Sequence, residues 1–498
     1  MTAAGYAEAL RLAAPETLVV VTALAALAAD LLFLRDLELP MRRLIGALIS
    51  SIGCVAAIAW MVALPQHGTV ADGMLVVDPL TRLMKMALLG FAILTLLISV
   101  ETSFTSHIGE YFALILLATA GMMFLASSED ILMIFISLEL TSLSLYILTA
   151  FNKRNIKSAE AALKYFLFGG MSAAFTLFGL SLLYGLSGAT NLDQIAAAIH
   201  GPKLDPLLVL AIVMTVIGFG FKVAAVPFHL WAPDAYEGAP VPSAAFIASG
   251  SKVASFFIFA KVMLLGFKGA EGSGAWHAYL PGWVPVVAVV AAASMVLGNL
   301  AAIVQISVRR LIAYSAIAHA GYILLGMLSP GPQSLASIIY YVITYGLTTL
   351  GAFGVVSIVQ EQAGGDGLSD FVGLSRRAPV VSFCMMVFML SLAGIPPLAG
   401  FFGKFYLFTS ALRADPKNLG LLWLVVLAIA MSAVSLYYYL QVLKQIYIVN
   451  VSATANPGPT AVVTQVALAL LALAVVALGC APNLLIAKLM SAIKLSGL

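Results

Sequence analysis

Apolar residues fill most of this chain in long runs, and the polar residues gather in the short stretches between those runs. Windows of about twenty apolar residues, the length of a helix that crosses a bilayer, recur along the whole sequence. They predict fourteen membrane-spanning helices, at residues 15–34, 42–62, 78–100, 109–127, 129–151, 158–185, 205–231, 240–267, 283–303, 306–328, 334–359, 379–413, 419–448 and 463–487. The predicted fold class is therefore an all-α polytopic membrane protein.

Prolines interrupt the seventh and the twelfth of these spans. Pro227 has no N–H and its ring crowds the carbonyl four residues back, so it should leave the carbonyl of Val223 without a helical partner. The proline pair of the twelfth span should free the carbonyls of Leu392 and Ala393 in the same way. The two broken spans are five positions apart and so run in opposite directions, which is typical of inverted repeats with sites at the midplane near the breaks.

This pattern predicts two inverted five-helix repeats between terminal helices. The expected parts are helices one to three, a first repeat of helices four to eight, a second repeat of helices nine to thirteen, and helix fourteen, at residues 1–103, 104–270, 280–450 and 451–498. The longest loops hold about twenty residues or fewer, around 186–204, 360–378 and 449–462. No soluble domain is expected, so cofactor-binding modules would belong to other chains.

Composition agrees with a membrane protein. Of the 498 residues, 62% are apolar and 9% are charged, whereas ordinary soluble domains carry roughly 25% charged residues. The net charge of +3 and the lack of a Lys/Arg-rich run exclude nucleic acid as an expected partner. Cys54, Cys384 and Cys480 lie far apart, without the spacing of a zinc or iron–sulfur site. No metal and no cofactor are therefore expected in this chain.

The distribution of Lys and Arg predicts the orientation of the helices. Loops after odd-numbered spans carry eleven of these residues, against seven in the tails and the loops after even-numbered spans. Positive residues accumulate on the cytoplasmic side, so both termini are predicted to lie outside the cell.

Ionisable residues inside the predicted spans are the candidates for function, because a charge at the bilayer centre costs roughly 2.5 to 3.5 kcal/mol. Lys222 lies beside the first break and far from either end of its span, and Glu139 lies deep in the fifth span. Further candidates lie on successive spans and just past the first break: Lys164, Lys252, His319, Lys404 and His229. A row of such groups could pass protons, because a lysine binds or releases a proton when a carboxylate partner moves.

Each candidate also has a structural interpretation. Glu139 could belong to a purely structural ion pair. The long aliphatic side chain of Lys164 could reach out so that its amine lies at the cytoplasmic surface. Lys252 could be held by the serine hydroxyls around it, and His319 could be a neutral core residue bonded to a hydroxyl of its own helix. His229 could equally be an ordinary loop residue or a gate toward the aqueous side.

Other polar residues are expected to be structural. Lys261, nearer the end of the eighth span, is expected to extend to the surface. Asp234 and Glu237 are expected in a solvated turn, and the tyrosines at 437–439 are expected to pack or to face the membrane interface. Three acidic residues near span ends are expected to be interfacial anchors: Asp30, Asp78 and Glu101.

Three stretches carry a resemblance to a known family. They are GFGFKVAAVPFHLWAPDAYEGAPVP from Gly218, RRLIAYSAIAHAGY from Arg309, and GIPPLAGFFGKF from Gly394. They resemble the antiporter-like membrane subunits of respiratory complex I, the proton-pumping NADH:quinone oxidoreductase, and the related Mrp-type antiporter subunits. The resemblance covers about residues 70–450 and implies proton-transfer roles for five residues by motif: Glu139, Lys164, Lys222, Lys252 and Lys404.

The resemblance implies a translocase subunit without redox chemistry of its own. Protons would move from the cytoplasm to the outside of a bacterial inner membrane, driven by electron transfer in other subunits. The implied partners are the other membrane and redox subunits, including further antiporter-like subunits, within the lipid bilayer. Within the family, the chain length and Lys404 are typical of the kind of subunit that lacks a lateral helix and has lysine rather than glutamate at this place.

Three other functions remain as alternatives. An Mrp-type cation/proton antiporter would exchange cations without a redox partner. A structural subunit would hold a membrane arm together, and its buried charges would affect assembly but not pumping. Direct quinone chemistry is the fourth function, and no redox group in the sequence indicates it.

Overall fold

The computed structural model of the chain describes residues 3–63, 67–199, 205–413, 418–449 and 462–497. Most of the predicted loop 449–462, the start of the fourth part and the end of the loop 186–204 lie outside these ranges. The helices are α1 Ala3–Leu12, α2 Ala14–Leu32, α3 Leu39–Ala63, α4 Pro79–Ile98, α5 Ile108–Ala126, α6 Ile131–Thr149, α7 Ile156–Ser187, α8 Leu192–Ala198, α9 Pro206–Lys222, α10 Trp231–Gly238, α11 Val241–Phe246, α12 Lys252–Lys261, α13 Trp283–Ile303, α14 Val308–Met327, α15 Pro332–Ala363, α16 Leu374–Arg377, α17 Pro379–Ala393, α18 Ala399–Arg413, α19 Leu422–Tyr447, α20 Val462–Cys480 and α21 Asn483–Leu495. Two antiparallel hairpins are formed by β1 Gly68–Val70 with β2 Leu75–Val77 and by β3 Ser273–Ala275 with β4 Ala278–Leu280.

Twelve helical stretches in the described ranges are long and apolar enough to cross a membrane. Two shorter apolar helices, α9 and α17, lie where the sequence predicts the broken spans. The prediction of an all-α polytopic membrane protein is confirmed. The count of fourteen stays a prediction, because it depends on counting the two broken helices as spans.

Polar residues begin several of the membrane helices. The side chain of Asp78 accepts a hydrogen bond from the amide of Thr81, and the hydroxyl of Thr81 accepts one from the amide of Asp78, which makes a capping box for α4. Asp130, Asn155 and Ser307 cap α6, α7 and α14 through their side-chain oxygens. Each cap supplies an acceptor for amides that the first helical turn leaves unpaired. Asp78, expected as an interfacial anchor, is therefore a helix cap.

Both predicted breaks interrupt a helix. α9 ends at Lys222 and α10 begins only at Trp231, and the residue Ala224 between them has a φ of 58°. α17 ends at Ala393 and α18 begins at Ala399. The first break comes earlier than predicted, because α9 ends before Val223 instead of continuing toward the proline.

The two predicted repeats contain the same succession of helices. In the first, α5, α6 and α7 of 19, 19 and 32 residues precede the broken pair α9–α10 and a 26-residue helical stretch, Val241–Gly266. In the second, α13, α14 and α15 of 21, 20 and 32 residues precede the broken pair α17–α18 and the 26-residue α19. This correspondence supports the division into repeats, whose boundaries stay a prediction.

The helix α15 lies at the centre of the molecule. In its most apolar window 94% of the residues are buried, whereas the corresponding share for the peripheral α2 is 33%. It packs against α14, α17, α18 and α20, and also against α11 and α12 of the first repeat. The central helix therefore lies between the two predicted repeats, where buried polar groups from both can meet.

Two irregular turns flank α12. The segments Ile247–Ser251 and Val262–Gly266 are π-helical, so the helix that runs from Lys252 to Lys261 has one such turn at each end. π-helical turns occur often at functional sites. Lys252 and Lys261, the first and last residues of α12, each lie next to one of these turns.

Candidate functional site

The pair Glu139 and Lys222 joins α6 to the first helix break. Lys222 is the last residue of α9, and its amine lies 3.7 Å from Oε1 of Glu139. The same amine donates a hydrogen bond of 2.6 Å to Oγ of Ser142. A distance of 3.7 Å allows an ion pair but is too long for a direct hydrogen bond. The structure thus brings the two predicted partners together and leaves their contact loose.

Lys252 is enclosed between α12 and α14, with 2% of its surface exposed. Its amine donates a hydrogen bond of 2.9 Å to the carbonyl of Ala316 and lies 5.9 Å from the ring centroid of Tyr345. No carboxylate in the described part of the chain forms an ion pair with this amine. The hydroxyl of Ser249 donates to the carbonyl of Ala245 one turn back, and the hydrogen bond of the Lys252 amine goes to a backbone carbonyl instead of a serine hydroxyl.

His319 lies buried in the middle of α14 between two tyrosine hydroxyls. Its Nδ1 is 2.6 Å from the hydroxyl of Tyr341, and its Nε2 is 3.0 Å from the hydroxyl of Tyr439. Tyr439 is also hydrogen-bonded to the hydroxyl of Ser315. A neutral imidazole has one donor and one acceptor nitrogen, so both tautomers can serve these two partners. Tyr439, expected to pack or to face the membrane interface, is buried, and the hydrogen bond of its hydroxyl to His319 was not predicted.

The amine of Lys404 occupies the second helix break. It donates hydrogen bonds to the carbonyls of Leu392 and Ala393, each at 3.1 Å, and to Oγ of Ser432 at 2.7 Å. These two carbonyls are the ones that the proline pair was predicted to free. The amine also lies 5.0 Å from the ring centroid of Tyr322. Like Lys252, Lys404 forms no ion pair with a carboxylate of the described residues.

Tyrosine rings connect Lys252, His319 and Lys404 into one cluster. The His319 ring is 5.0 Å from the ring of Tyr345, which lies beside Lys252, and 5.6 Å from the ring of Tyr322, which lies beside Lys404. The three residues come from α12, α14 and α18, so this cluster includes both predicted repeats. Within the described ranges, no hydrogen bond or ion pair joins it to the separate pair of Glu139 and Lys222.

Lys164 lies at the rim of the bundle with 40% of its side chain exposed. Its amine is 2.7 Å from Glu160 and 2.8 Å from Asp234. Lys164 therefore does not lie in the row of buried lysines. This position supports the interpretation in which its side chain extends to the surface, where it has two carboxylate partners, Glu160 and Asp234.

The carboxylates of α10 bind cations from two other helices. Nη1 of Arg310 in α14 is 2.8 Å from Asp234 and 2.8 Å from Glu237. Lys157 in α7 is 3.0 Å from Glu237. We call the following residues the α10 charge cluster: Lys157, Glu160, Lys164, Asp234, Glu237 and Arg310. The expectation of a solvated turn is wrong, since Asp234 and Glu237 lie three residues apart on one helix and are both paired.

The cluster lowers the pKa of both α10 carboxylates, which lie outside the candidate membrane spans. Burial alone would raise the pKa of Asp234, but hydrogen bonds and charge from Lys164 and Arg310 outweigh burial and lower it. Burial would also raise the pKa of Glu237, and Arg310 and Lys157 lower it in the same way. Both carboxylates are thus held in the ionised form.

Two further residues were predicted from the sequence, Lys261 and His229, and the position of Lys261 differs from the prediction. Lys261 does not extend to the surface. It is 3% exposed, and its amine is 2.8 Å from Oε1 of Glu129. His229 lies in the first break and is buried, and its Nδ1 has no hydrogen-bond partner among the described residues.

A buried ion pair near the N-terminus was not predicted from the sequence. The amine of Lys85 in α4 is 2.6 Å from Oε1 of Glu16 in α2, and neither side chain is more than 2% exposed. The usable signal was a pair of opposite charges in the first and third predicted spans. Asp30, expected as an interfacial anchor, is likewise buried and binds Arg42 through both carboxylate oxygens, at 2.9 and 2.7 Å.

The described residues contain no group of three or more His, Cys, Asp or Glu side chains that could hold a metal ion. The absence of a cofactor from this chain stays a prediction.

Comparison with known proteins gives a family match over most of the chain. Residues 128–432 match the family described as NADH:quinone oxidoreductase/Mrp antiporter, TM. A relative from Acidobacterium capsulatum, named NADH-quinone oxidoreductase subunit N 2, is 53% identical over 97% of this chain and 99% of its own length.

Solved structures show the same fold. A chain of respiratory complex I from Thermus thermophilus, with bound aureothin, is 32% identical and superposes with a TM-score of 0.77, over 95% of this chain and 99% of that one. A chain of the Mrp complex from Dietzia sp. DQ12-45-1b is 21% identical with a TM-score of 0.81, over 97% of both chains.

Proposed function

The chain belongs to the family of membrane subunits shared by NADH:quinone oxidoreductases and Mrp antiporters, and from this membership we propose that it is subunit N of a bacterial proton-pumping NADH:quinone oxidoreductase. In this proposal the chain carries protons from the cytoplasm to the outside, and other subunits carry the electrons. Its partners are the other membrane and redox subunits, including further antiporter-like subunits. It lies in the bacterial inner membrane with both termini outside.

The observation that carries the proposal is the set of buried amines along the bundle. Among the described residues, Lys252 and Lys404 have only carbonyl and hydroxyl acceptors, and the amine of Lys222 lies 3.7 Å from its carboxylate. A buried ammonium without a close carboxylate is costly to maintain, so such groups are suited to exchanging a proton. A structural ion pair would instead hold both partners in direct contact, as Glu16 and Lys85 do at 2.6 Å.

We assign the uptake of protons from the cytoplasm to Lys222 with Glu139, assisted by Lys164 at the rim and by His229 in the first break. A change in the distance between Glu139 and Lys222 loads or releases a proton at the amine. Lys252 and His319 relay protons through the centre. Imidazole is suited to this task because it accepts and donates a proton near neutral pH.

Lys404 releases protons toward the outer half of the membrane in this scheme. Moving each charge against the membrane potential requires roughly 2.3 kcal/mol per 100 mV. Electron transfer in other subunits supplies that energy, because no redox centre is expected in this chain. The chain would therefore take part in a translocase without catalysing the redox reaction.

The alternative of an Mrp-type antiporter has less support. The likeness to the Mrp chain is at 21% identity and concerns the fold alone, whereas the relative at 53% identity is named as an oxidoreductase subunit. An antiporter would exchange sodium or potassium for protons as a purified chain in liposomes. Copurification with quinone-reductase subunits and no such exchange would exclude it.

The direct test replaces Lys222 or Glu139 by alanine in the assembled complex. Proton uptake and NADH oxidation are measured separately in inverted membrane vesicles, and assembly is checked by the subunit content of the purified complex. We expect fewer protons pumped per NADH in both variants. The exposed Lys268, replaced by alanine, is the control for loss of a positive charge. Unchanged pumping in a fully assembled Lys222→Ala complex would refute the proposal.

A further inference from the structure

The short helix α10 connects the two predicted repeats at the first helix break. Its two carboxylates, Asp234 and Glu237, are bound from the first-repeat side by Lys164 at 2.8 Å and Lys157 at 3.0 Å. From the second-repeat side, Nη1 of Arg310 binds both carboxylates at 2.8 Å. Among the described residues, Arg310 is the one cation that contacts both acids of α10, so it is the central cation of the α10 charge cluster.

The neighbouring arginine secures the other end of the same helix. Nη1 of Arg309 donates a hydrogen bond of 3.0 Å to the carbonyl of Ala239, the residue that follows α10. Arg309 is itself fixed by an ion pair of 2.6 Å with Asp366. Two consecutive residues at the start of α14 therefore hold both the acidic face and the C-terminal end of α10.

The first residue of α10 is tied to the end of α9. The indole of Trp231 donates a hydrogen bond of 2.9 Å to the carbonyl of Phe221. That carbonyl belongs to the peptide bond that leads into Lys222. Trp231 is 2% exposed and is stacked on Tyr165 of α7, with ring centroids 4.2 Å apart. A displacement of α10 would therefore move the backbone at Lys222.

Lys222 is sensitive to such a displacement because its contacts are few. Its amine has a 2.6 Å hydrogen bond to Ser142 and the looser 3.7 Å contact with Glu139. α9 ends at this residue, and the chain continues in a short turn in which the amides of Ala224 and Ala225 donate to the carbonyls of Phe221 and Gly220. A change of 1 Å in its position would decide between a direct contact with Glu139 and none.

We propose that Arg310 is a positioning residue for Lys222, acting through α10 and Trp231 and thereby linking the second repeat to the proton site of the first. This inference rests on the proposed proton translocation and adds a connection between the repeats. Movement of α14, which also carries His319, would reach Lys222 through this connection. Arg310 itself carries no proton in the pathway, because a guanidinium stays protonated in proteins.

The test compares Arg310→Gln, Arg310→Lys and Lys157→Ala in the assembled complex. Lys157→Ala is the matched control. This substitution removes a cation from the same cluster but leaves Arg310 bound to Glu237. Backbone hydrogen exchange is measured at residues 219–224 and 231–238, and proton pumping per NADH is measured over a range of pH.

We expect Arg310→Gln to speed exchange roughly tenfold in both segments, the size that loss of a hydrogen-bonded charge contact gives. Pumping per NADH falls, its pH dependence shifts, and Arg310→Lys restores part of both. Lys157→Ala resembles the unmodified protein. Faster exchange in residues 231–238 alone, with residues 219–224 and pumping unchanged, overturns the inference.

Two further variants protect the test against a failure of Arg310→Gln to assemble. Trp231→Phe removes the hydrogen bond to Phe221 but keeps an aromatic ring on Tyr165, and it should reproduce the pumping defect with α10 still protected. Normal pumping in Trp231→Phe overturns the inference. Failure of the underlying proton-translocation proposal is recognised separately, by normal pumping in Lys222→Ala.

Discussion

At the level of single residues, the two lysines beside the helix breaks reach similar places by different routes. Lys222 is the last residue of α9, so its amine starts from the end of the first half-helix. Lys404 lies in the second half-helix, α18, and its amine reaches back to the last two carbonyls of α17. The lysines do not correspond in sequence order, yet both amines lie at a helix end inside the bundle.

The role of Lys404 can be separated into charge and proton exchange. Lys404→Arg keeps a cationic donor for the two freed carbonyls but cannot release a proton under these conditions. We expect it to stay assembled and to stop pumping. Lys404→Ala leaves both carbonyls without their donor and should cost roughly 1–3 kcal/mol of stability as well. Stability is measured by thermal unfolding of the purified complex, and pumping is measured in vesicles. A Lys404→Arg variant that pumps normally would contradict proton exchange at Lys404.

The hydroxyl of Tyr439 gives a second residue-level prediction. Tyr439→Phe removes the hydrogen bond to Nε2 of His319 and the one to Ser315, so we expect slower pumping with a stability loss of about 1 kcal/mol. Tyr437→Phe is the control, because that ring lies two residues away on the same helix and is exposed. The measurement is the pumping rate of each variant at equal complex content. Equal rates for the two variants would exclude Tyr439 from the relay.

The sequence predicted the buried amines better than their partners. Lys252 and Lys404 stand out because a charge in an apolar run is costly wherever it lies. The partner of Lys261 was not predictable, because Glu129 is distant in sequence, lies between α5 and α6, and meets Lys261 only through the packing of α5 against α12. Tyr439 was missed for the same reason, since one of three successive tyrosines faces His319 and the sequence does not say which.

At the level of elements, the helix breaks were predictable and their limits were not. Proline cannot continue a helix, so an interruption near Pro227 and near the later proline pair follows from local chemistry. α9 nevertheless ends five residues before Pro227, at Lys222. At this point the indole N–H of Trp231 donates a hydrogen bond to the carbonyl of Phe221. This contact joins residues ten positions apart and cannot be predicted from local sequence preferences.

The charge cluster makes a prediction about the pH dependence of α10. The pKa values of Asp234 and Glu237 are lowered in the folded protein, so their pairing stabilises α10 at and above the ordinary carboxylate pKa. That stabilisation is lost as the pH falls through the lowered pKa values. The protection of α10 against hydrogen exchange, relative to an unfolded segment, should therefore be constant from pH 8 to about 5 and fall below about pH 4.

The helix α21 provides the reference for this measurement, because it contains no acidic residue. The ratio of exchange in α10 to exchange in α21 removes the intrinsic pH dependence of the chemistry. Glu237→Gln should flatten the acid response of that ratio. Loss of protection already between pH 7 and 6 would show that other groups control α10.

At the scale of the whole molecule, the breaks in the seventh and twelfth predicted spans set an interval of five helices, from which the division into two repeats is predicted. The contacts between the two predicted repeats could not be predicted from the sequence. They depend on α14 and α15, whose almost complete burial places side chains of both repeats in contact. The cluster of Lys252, His319 and Lys404 exists only because these central helices bring α12 and α18 to one place.

A buried ion pair between α2 and α4, near the N-terminus, lies outside this cluster. This ion pair can be used to test whether burial of charge alone implies proton transfer. The amine of Lys85 lies 2.6 Å from Oε1 of Glu16, and no further donor among the described residues binds the Glu16 carboxylate. Removing one partner leaves an uncompensated buried charge, so Lys85→Met should cost about 3–5 kcal/mol. Replacing both residues, as in Glu16→Leu with Lys85→Met, should be close to neutral.

A double-mutant cycle of assembly and thermal unfolding measures this coupling, since residues in direct contact are not additive. The doubly substituted complex should pump protons at the unmodified ratio, because the pair joins α2 to α4 and contacts none of the proposed proton carriers. A stable double variant that has lost pumping would instead extend the proton pathway into the N-terminal helices. The contrast with Lys222→Ala then rests on geometry: we expect that a close, buried ion pair can be replaced by apolar packing without loss of pumping, whereas the loose pair at the helix break cannot.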